Sequence, residues 1–100
     1  MVKHIILWQL KDELSAQEKQ SVAKAAKTAL EDLKGKIDGL IDIKLIIEKL
    51  DTSNVDMMLD SSFISNEAFK GYLAHPLHVK AADEYVRPFT KTRSCIDYEA

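Results

Sequence analysis

The densest chemistry in the chain lies in the segment Tyr72-Leu73-Ala74-His75-Pro76-Leu77-His78-Val79. Proline has no backbone N–H to lose and its φ is preset, so Pro76 suits the first position of a helix and puts His78 in the first turn. The positive end of the helix dipole disfavours an imidazolium there. A neutral imidazole can take a proton from a bound molecule or from Tyr72 and return it, which is general acid–base chemistry. Helical spacing aligns His78, Ala82, Tyr85 and Phe89 on one face. His75, held before a proline, is driven out of the helical region and ends the preceding segment. The same residues also fit a bland account, in which His78 and Tyr72 only hydrogen-bond within the packing. As a metal site the His75/His78 pair is weak, because a zinc site needs a third protein ligand.

The remaining polar candidates are scattered. His4 shares a strand face with Val2, Ile6, Trp8 and Leu10. A backbone carbonyl usually satisfies such a histidine, and it gains a role only if His78 and Tyr72 reach the same face. Trp8, Met57, His75 and Tyr85 are the candidates to touch the body of a ligand, although Trp8, Met57, Met58 and Phe63 suit an ordinary core equally well. Asp56 and Asp60 read as solvated or interface-rim carboxylates. Cys95 stands alone, with no CxxC partner and no histidine near it in sequence, so neither a disulfide within the chain nor a nucleophilic role is expected. There is no Gly-rich phosphate loop, GxSxG or HExxH. No metal and no cofactor are expected.

The elements that must position these groups follow from periodicity. Val2–Leu10 reads as a strand, apolar in the middle of both faces and hence covered on both sides. Ser15-Ala16-Gln17-Glu18 has capping-box spacing. Val22, Ala25, Ala26, Ala29, Leu30 and Leu33 then recur at helical intervals as far as Lys34, with Gly35 closing the helix. Ile41, Ile43, Leu45 and Ile47 alternate with Asp42, Lys44, Ile46 and Glu48, a second strand. Asp51-Thr52-Ser53-Asn54 is a turn cluster. A third strand runs from Val55 to Phe63. Ser65 or Asn66 caps a short helix to Leu73, Pro76 opens another to about Val86, and Thr92–Tyr98 closes the sheet. The order is βαββαβ, the α+β ferredoxin-like pattern. Its helices cover one sheet face. The other face, with Ile5, Leu7, Ile46 and Met58, is apolar and calls for a second copy of the chain.

Composition narrows the function classes. One hundred residues suit one domain spanning 1–100, at 46% hydrophobic and 30% charged. The formal charge of −2 lacks the cationic footprint of a nucleic-acid binder. The Ile5–Trp8 run is too short to cross a membrane or lead secretion. A lone cysteine adds the expectation of a reducing, cytoplasmic setting.

Three stretches together resemble the Dabb family of stress-responsive dimeric α/β-barrel proteins: Met1-Val2-Lys3-His4-Ile5-Ile6-Leu7-Trp8-Gln9-Leu10-Lys11-Asp12, Tyr72 to His78, and Asp97-Tyr98. The likeness covers essentially the whole chain. It implies two ferredoxin-like protomers packed sheet to sheet into a barrel. The family includes a plant polyketide cyclase, olivetolic acid cyclase, which closes a linear polyketide by an aldol reaction without a cofactor. Carried over, the likeness makes His78 the general base, Tyr72 its orienting partner and His4 a polar anchor. The cyclase has a third-strand histidine where this chain has Met57, which argues against efficient polyketide cyclisation. Some members bind a divalent ion near the dimer interface, and many have no assigned reaction. The expected function is therefore a homodimer binding a small hydrophobic or aromatic molecule between helices and sheet. The alternatives are a cofactor-independent cyclase or lyase and a non-catalytic stress or assembly module. Related dimeric-barrel monooxygenases share the architecture without the motif. Neither nucleic acid nor membrane is an expected partner.

Overall fold

The computed structural model describes residues 1–100. Its elements run β1 (Val2–Leu10), α1 (Ala16–Glu31), β2 (Leu40–Ile46), β3 (Met57–Phe63), α2 (Asn66–Ala74), α3 (Pro76–Tyr85), a 3-10 turn (Arg87–Phe89) and β4 (Thr90–Glu99). The four strands form one antiparallel sheet in the order β2-β3-β1-β4. This is the expected ferredoxin-like α+β arrangement, with the second helical unit broken in two at His75. No helix is long and apolar enough to cross a membrane.

The local reasons are visible. The Ser15 Oγ accepts the Glu18 N–H at 3.1 Å while a Glu18 carboxylate oxygen accepts the Ser15 N–H at 2.9 Å, which completes the capping box. The helix stops at Glu31, three residues before the expected end, and a turn carries the chain to Gly35 at φ +84°. Gly39 is required twice over. It sits at φ +81°, and a Cβ there would meet the Ala68 Cβ at 2.4 Å, so α2 could not pack where it does.

Every second residue of β1, from Val2 through His4, Ile6 and Trp8 to Leu10, is buried beneath the helices. Met57, Leu59, Ser61 and Phe63 continue that layer on β3. On β2 the expected alignment of Ile41 with Ile43 and Leu45 fails. The register shifts between Leu40 and Asp42, which puts Leu40 in the core and leaves Ile41 43% exposed. β3 starts at Met57 rather than Val55, because the Asp56 carboxylate turns back to accept the Leu10 N–H at 2.7 Å.

The opposite sheet face is uncovered in the protomer. Ile5, Leu7, Ile46 and Met58 lie on it half-buried, and β4 adds Ile96 and Tyr98 at 61% and 46% exposed. Lys3 pairs with Asp60 across β1 and β3 on the same face.

Candidate functional site

Two depressions along α1, of about 560 and 650 Å³, contain no histidine. The titratable chemistry gathers instead in a pocket of about 460 Å³ between the sheet and α2–α3. Its sheet wall is His4, Ile6 and Trp8. Leu73, His78, Ala82 and Val86 form the helical wall, and Arg87, Thr90 and Arg93 stand on the β4 side.

Pro76 occupies the start of α3 and His75 is its N-cap, with the His75 Nδ1 accepting the Leu77 N–H at 3.1 Å. That places His78 one turn in, half-buried against Leu73. The His78 Nδ1 lies 3.2 Å from the Leu73 carbonyl oxygen. A carbonyl only accepts, so Nδ1 must carry the hydrogen, and Nε2 of the neutral ring keeps its lone pair. Burial lowers the His78 pKa, and the Arg87 and His4 charges add to that. The Leu73 hydrogen bond works the other way but is outweighed, so the ring is a base kept neutral by burial and oriented by one backbone oxygen.

Tyr72 packs behind it. The two rings are tilted at 36° with centroids 4.2 Å apart, and Tyr72 meets His4 edge-on at 6.3 Å. Tyr72 is fully buried and its hydroxyl has no hydrogen-bond partner. Burial raises its pKa far above the ordinary phenol value, so it stays protonated and can only be a donor or acceptor of hydrogen bonds. The hydroxyl does not reach the pocket lining.

His4, at 2% exposure, is fixed from the other side. Antiparallel pairing sets it opposite Asp97, whose carboxylate takes the Nδ1–H. Ser61 Oγ donates to the His4 carbonyl oxygen at 2.9 Å. Cys95 Sγ lies 3.7 Å from the His4 Nδ1 and 3.4 Å from an Asp97 carboxylate oxygen. A histidine is thus beside the thiol in space although none is near it in sequence. Burial and the Asp97 carboxylate nonetheless raise the Cys95 pKa, so it remains a thiol. The His4, Cys95 and Asp97 ligand atoms lie within 4.8 Å of one another.

Of the residues singled out in the sequence, the fold brings His4, Trp8 and His78 onto one pocket, with Tyr72 stacked behind. Met57 is 2% exposed and pairs with Trp8, but it sits in the core beside the pocket rather than on its wall. Tyr85 faces the α1 groove with Ala25, Ala29 and Leu33, and His75 is spent on capping. Arg87, Thr90 and Arg93 escaped sequence reasoning, which read Cys95 as isolated and Asp97 only as part of the family likeness. Alternation along β4 puts Arg93, Cys95 and Asp97 on one face, but only the pairing register shows that they meet β1.

The family model described as the Stress responsive A/B Barrel Domain matches residues 2–100. No curated protein matches the sequence. Among solved structures, the chain is similar to a dimeric protein of unknown function with a ferredoxin-like fold from Bacteroides fragilis. The identity is 32% and the TM-score 0.92, with 99% of this chain and 95% of that one covered. A dimeric ferredoxin-like protein from Thermobifida fusca matches at 21% identity and TM-score 0.82, covering 99% and 90% of the two chains. The hydroxynitrile lyase of Passiflora edulis matches at 17% identity and TM-score 0.72, over 97% and 90%. At these two lower identities the likeness is one of fold.

Proposed function

Because the chain belongs to the stress-responsive A/B barrel (Dabb) family, we propose that it acts as a homodimer. Each protomer binds a small hydrophobic or aromatic molecule in the pocket between His4, Trp8 and His78. The observation that carries this reading is the His78 imidazole, oriented by the Leu73 carbonyl with Nε2 unprotonated, on the wall of a pocket large enough for a small ligand. Trp8 and Ile6 supply the apolar floor.

The partner copy covers Ile5, Leu7, Ile46, Met58, Ile96 and Tyr98. The Bacteroides fragilis and Thermobifida fusca neighbours are dimeric, which supports this assembly. A single unpaired thiol suits a reducing, cytoplasmic setting.

Turnover is the second reading. In it His78 Nε2 accepts a proton from the ligand, as a cofactor-independent lyase- or cyclase-like reaction requires. The lyase from Passiflora edulis supports it by fold alone.

Thermal-shift screening of polyketide, quinone and aromatic metabolites tests the pocket. A ligand at one hundred times its Kd stabilises the native state by ~2.7 kcal/mol. Leu73 lines the pocket and is 40% exposed, so Leu73→Trp narrows the pocket without disturbing the core. Ligands that stabilise the unmodified protein should fail to stabilise this variant. A set without a stabilising compound, or one indifferent to Leu73→Trp, contradicts the proposal.

A further inference from the structure

The pocket's charge is one-sided. Its ten lining residues include two arginines and no aspartate or glutamate, in a chain whose 16 acidic residues outnumber its 14 lysines and arginines. Arg87 is neutralised by Asp83, one turn before it. Arg93 differs, because none of the eight ion pairs of the molecule includes it.

The β1–β4 register sets Arg93 opposite Trp8, Cys95 opposite Ile6 and Asp97 opposite His4. The Arg93 guanidinium lies beside the Cys95 thiol, and Asp97, on the far side of that thiol, forms no ion pair with it. The Asp97 carboxylate is also already engaged by His4. Arg93 thus brings a guanidinium outside every ion pair to a pocket whose apolar lining includes Trp8, Ile6 and Val86. A neutral hydrophobic ligand would leave that charge unused, whereas an amphiphilic anion uses both surfaces.

We infer that the pocket takes a small organic acid, its aryl or alkyl body against Trp8 and Ile6 and its carboxylate on the Arg93 guanidinium. This rests on the pocket being a ligand site and specifies the class of ligand. A planar guanidinium offers a carboxylate two parallel N–H donors, a pairing that a lysine cannot copy. His78 stands on the helical wall rather than on β4, so its Nε2 addresses the body of the acid and not its head group.

Two probes of equal shape separate the charge from the body: 2-naphthoate and its uncharged amide, 2-naphthamide. Calorimetric titration of the unmodified protein should show the acid binding at least tenfold more tightly. In Arg93→Gln, a change on an exposed strand, the preference should fall below about twofold while the amide binds as before. Lys91→Gln removes the same formal charge from β4 outside the pocket, and should keep the preference. Equal binding of the two probes by the unmodified protein, or a preference that survives Arg93→Gln or disappears equally in Lys91→Gln, overturns the inference. Binding of the amide alone would sink the acid head group but leave the pocket standing. Failure of both probes overturns the inference, and the metabolite screen with Leu73→Trp then decides separately whether the pocket binds anything.

Discussion

Asp97 accepts the Nδ1–H of His4 across the β1–β4 ladder, so a histidine sealed at 2% exposure takes its orientation from a carboxylate on the edge strand. His78 is held the same way by the Leu73 carbonyl oxygen. Both rings thus donate through Nδ1, and in the neutral His78 ring Nε2 is the nitrogen left for other work.

The first prediction concerns that carboxylate. Asp97→Ala leaves a buried imidazole N–H without an acceptor, at a cost of ~1–3 kcal/mol. Asp97→Asn, whose amide oxygen still accepts, should recover most of it. Both changes remove an anion that raises the Cys95 pKa, so thiolate formation should move to lower pH. Thermal melts, and the rate of thiol alkylation against pH, check the two halves.

The unpartnered Tyr72 hydroxyl gives the second. Removing a buried hydroxyl that has no partner relieves a desolvation cost, so Tyr72→Phe should be neutral or stabilising by up to ~1 kcal/mol. For a domain of this size that is a rise in Tm of up to ~4–8 °C. A loss of more than 1 kcal/mol on urea unfolding would show that the hydroxyl is satisfied in solution.

His78 supplies a pH dependence. Its folded pKa is lowered from 6.5 by burial, so as pH falls below 6.5 the unfolded chain takes the proton first. Stability from this group is thus complete above pH 6.5 and is lost as pH falls from there through the lower folded value. His78→Gln should flatten this part of the stability–pH curve, measured by urea unfolding from pH 7.5 to 5. An unchanged slope would mean that His78 titrates as it does in the unfolded chain.

Assembly gives the fourth. Ile96 is 61% exposed in the protomer, so Ile96→Glu should leave the fold intact while placing a charge in the proposed sheet-to-sheet contact. An obligate-type interface buries on the order of 2,000 Å² or more. Sedimentation should give a dimer for the unmodified protein and a folded monomer of the 11.3 kDa chain for Ile96→Glu. A monomer from the unmodified chain removes the barrel.

The element order was legible because each segment states its period. Alternation in Val2–Leu10, the capping box at Ser15 and Pro76 at a helix start are local signals, and local physics satisfies them. Phase along β2 was not legible, since the bulge after Leu40 depends on pairing with β3. Half of the site was readable for the same reason. His4, Trp8, Tyr72 and His78 carry their chemistry in residue type and spacing. Asp97, Cys95 and Arg93 enter only through the register of two strands some ninety residues apart. Met57 was singled out by the family likeness and Tyr85 by its helical spacing from His78, and the fold turns one into the core and the other toward α1.

Whether His78 presents an unprotonated Nε2 to a ligand pocket can be read most directly by histidine-resolved NMR with ¹⁵N-labelled imidazoles. The His78 signal should show hydrogen on Nδ1, a midpoint below 6.5 and a shift on adding 2-naphthoate, while the capping His75 stays unmoved by the probe. A His78 with its hydrogen on Nε2, titrating at the ordinary value and blind to the probe, would contradict this expectation.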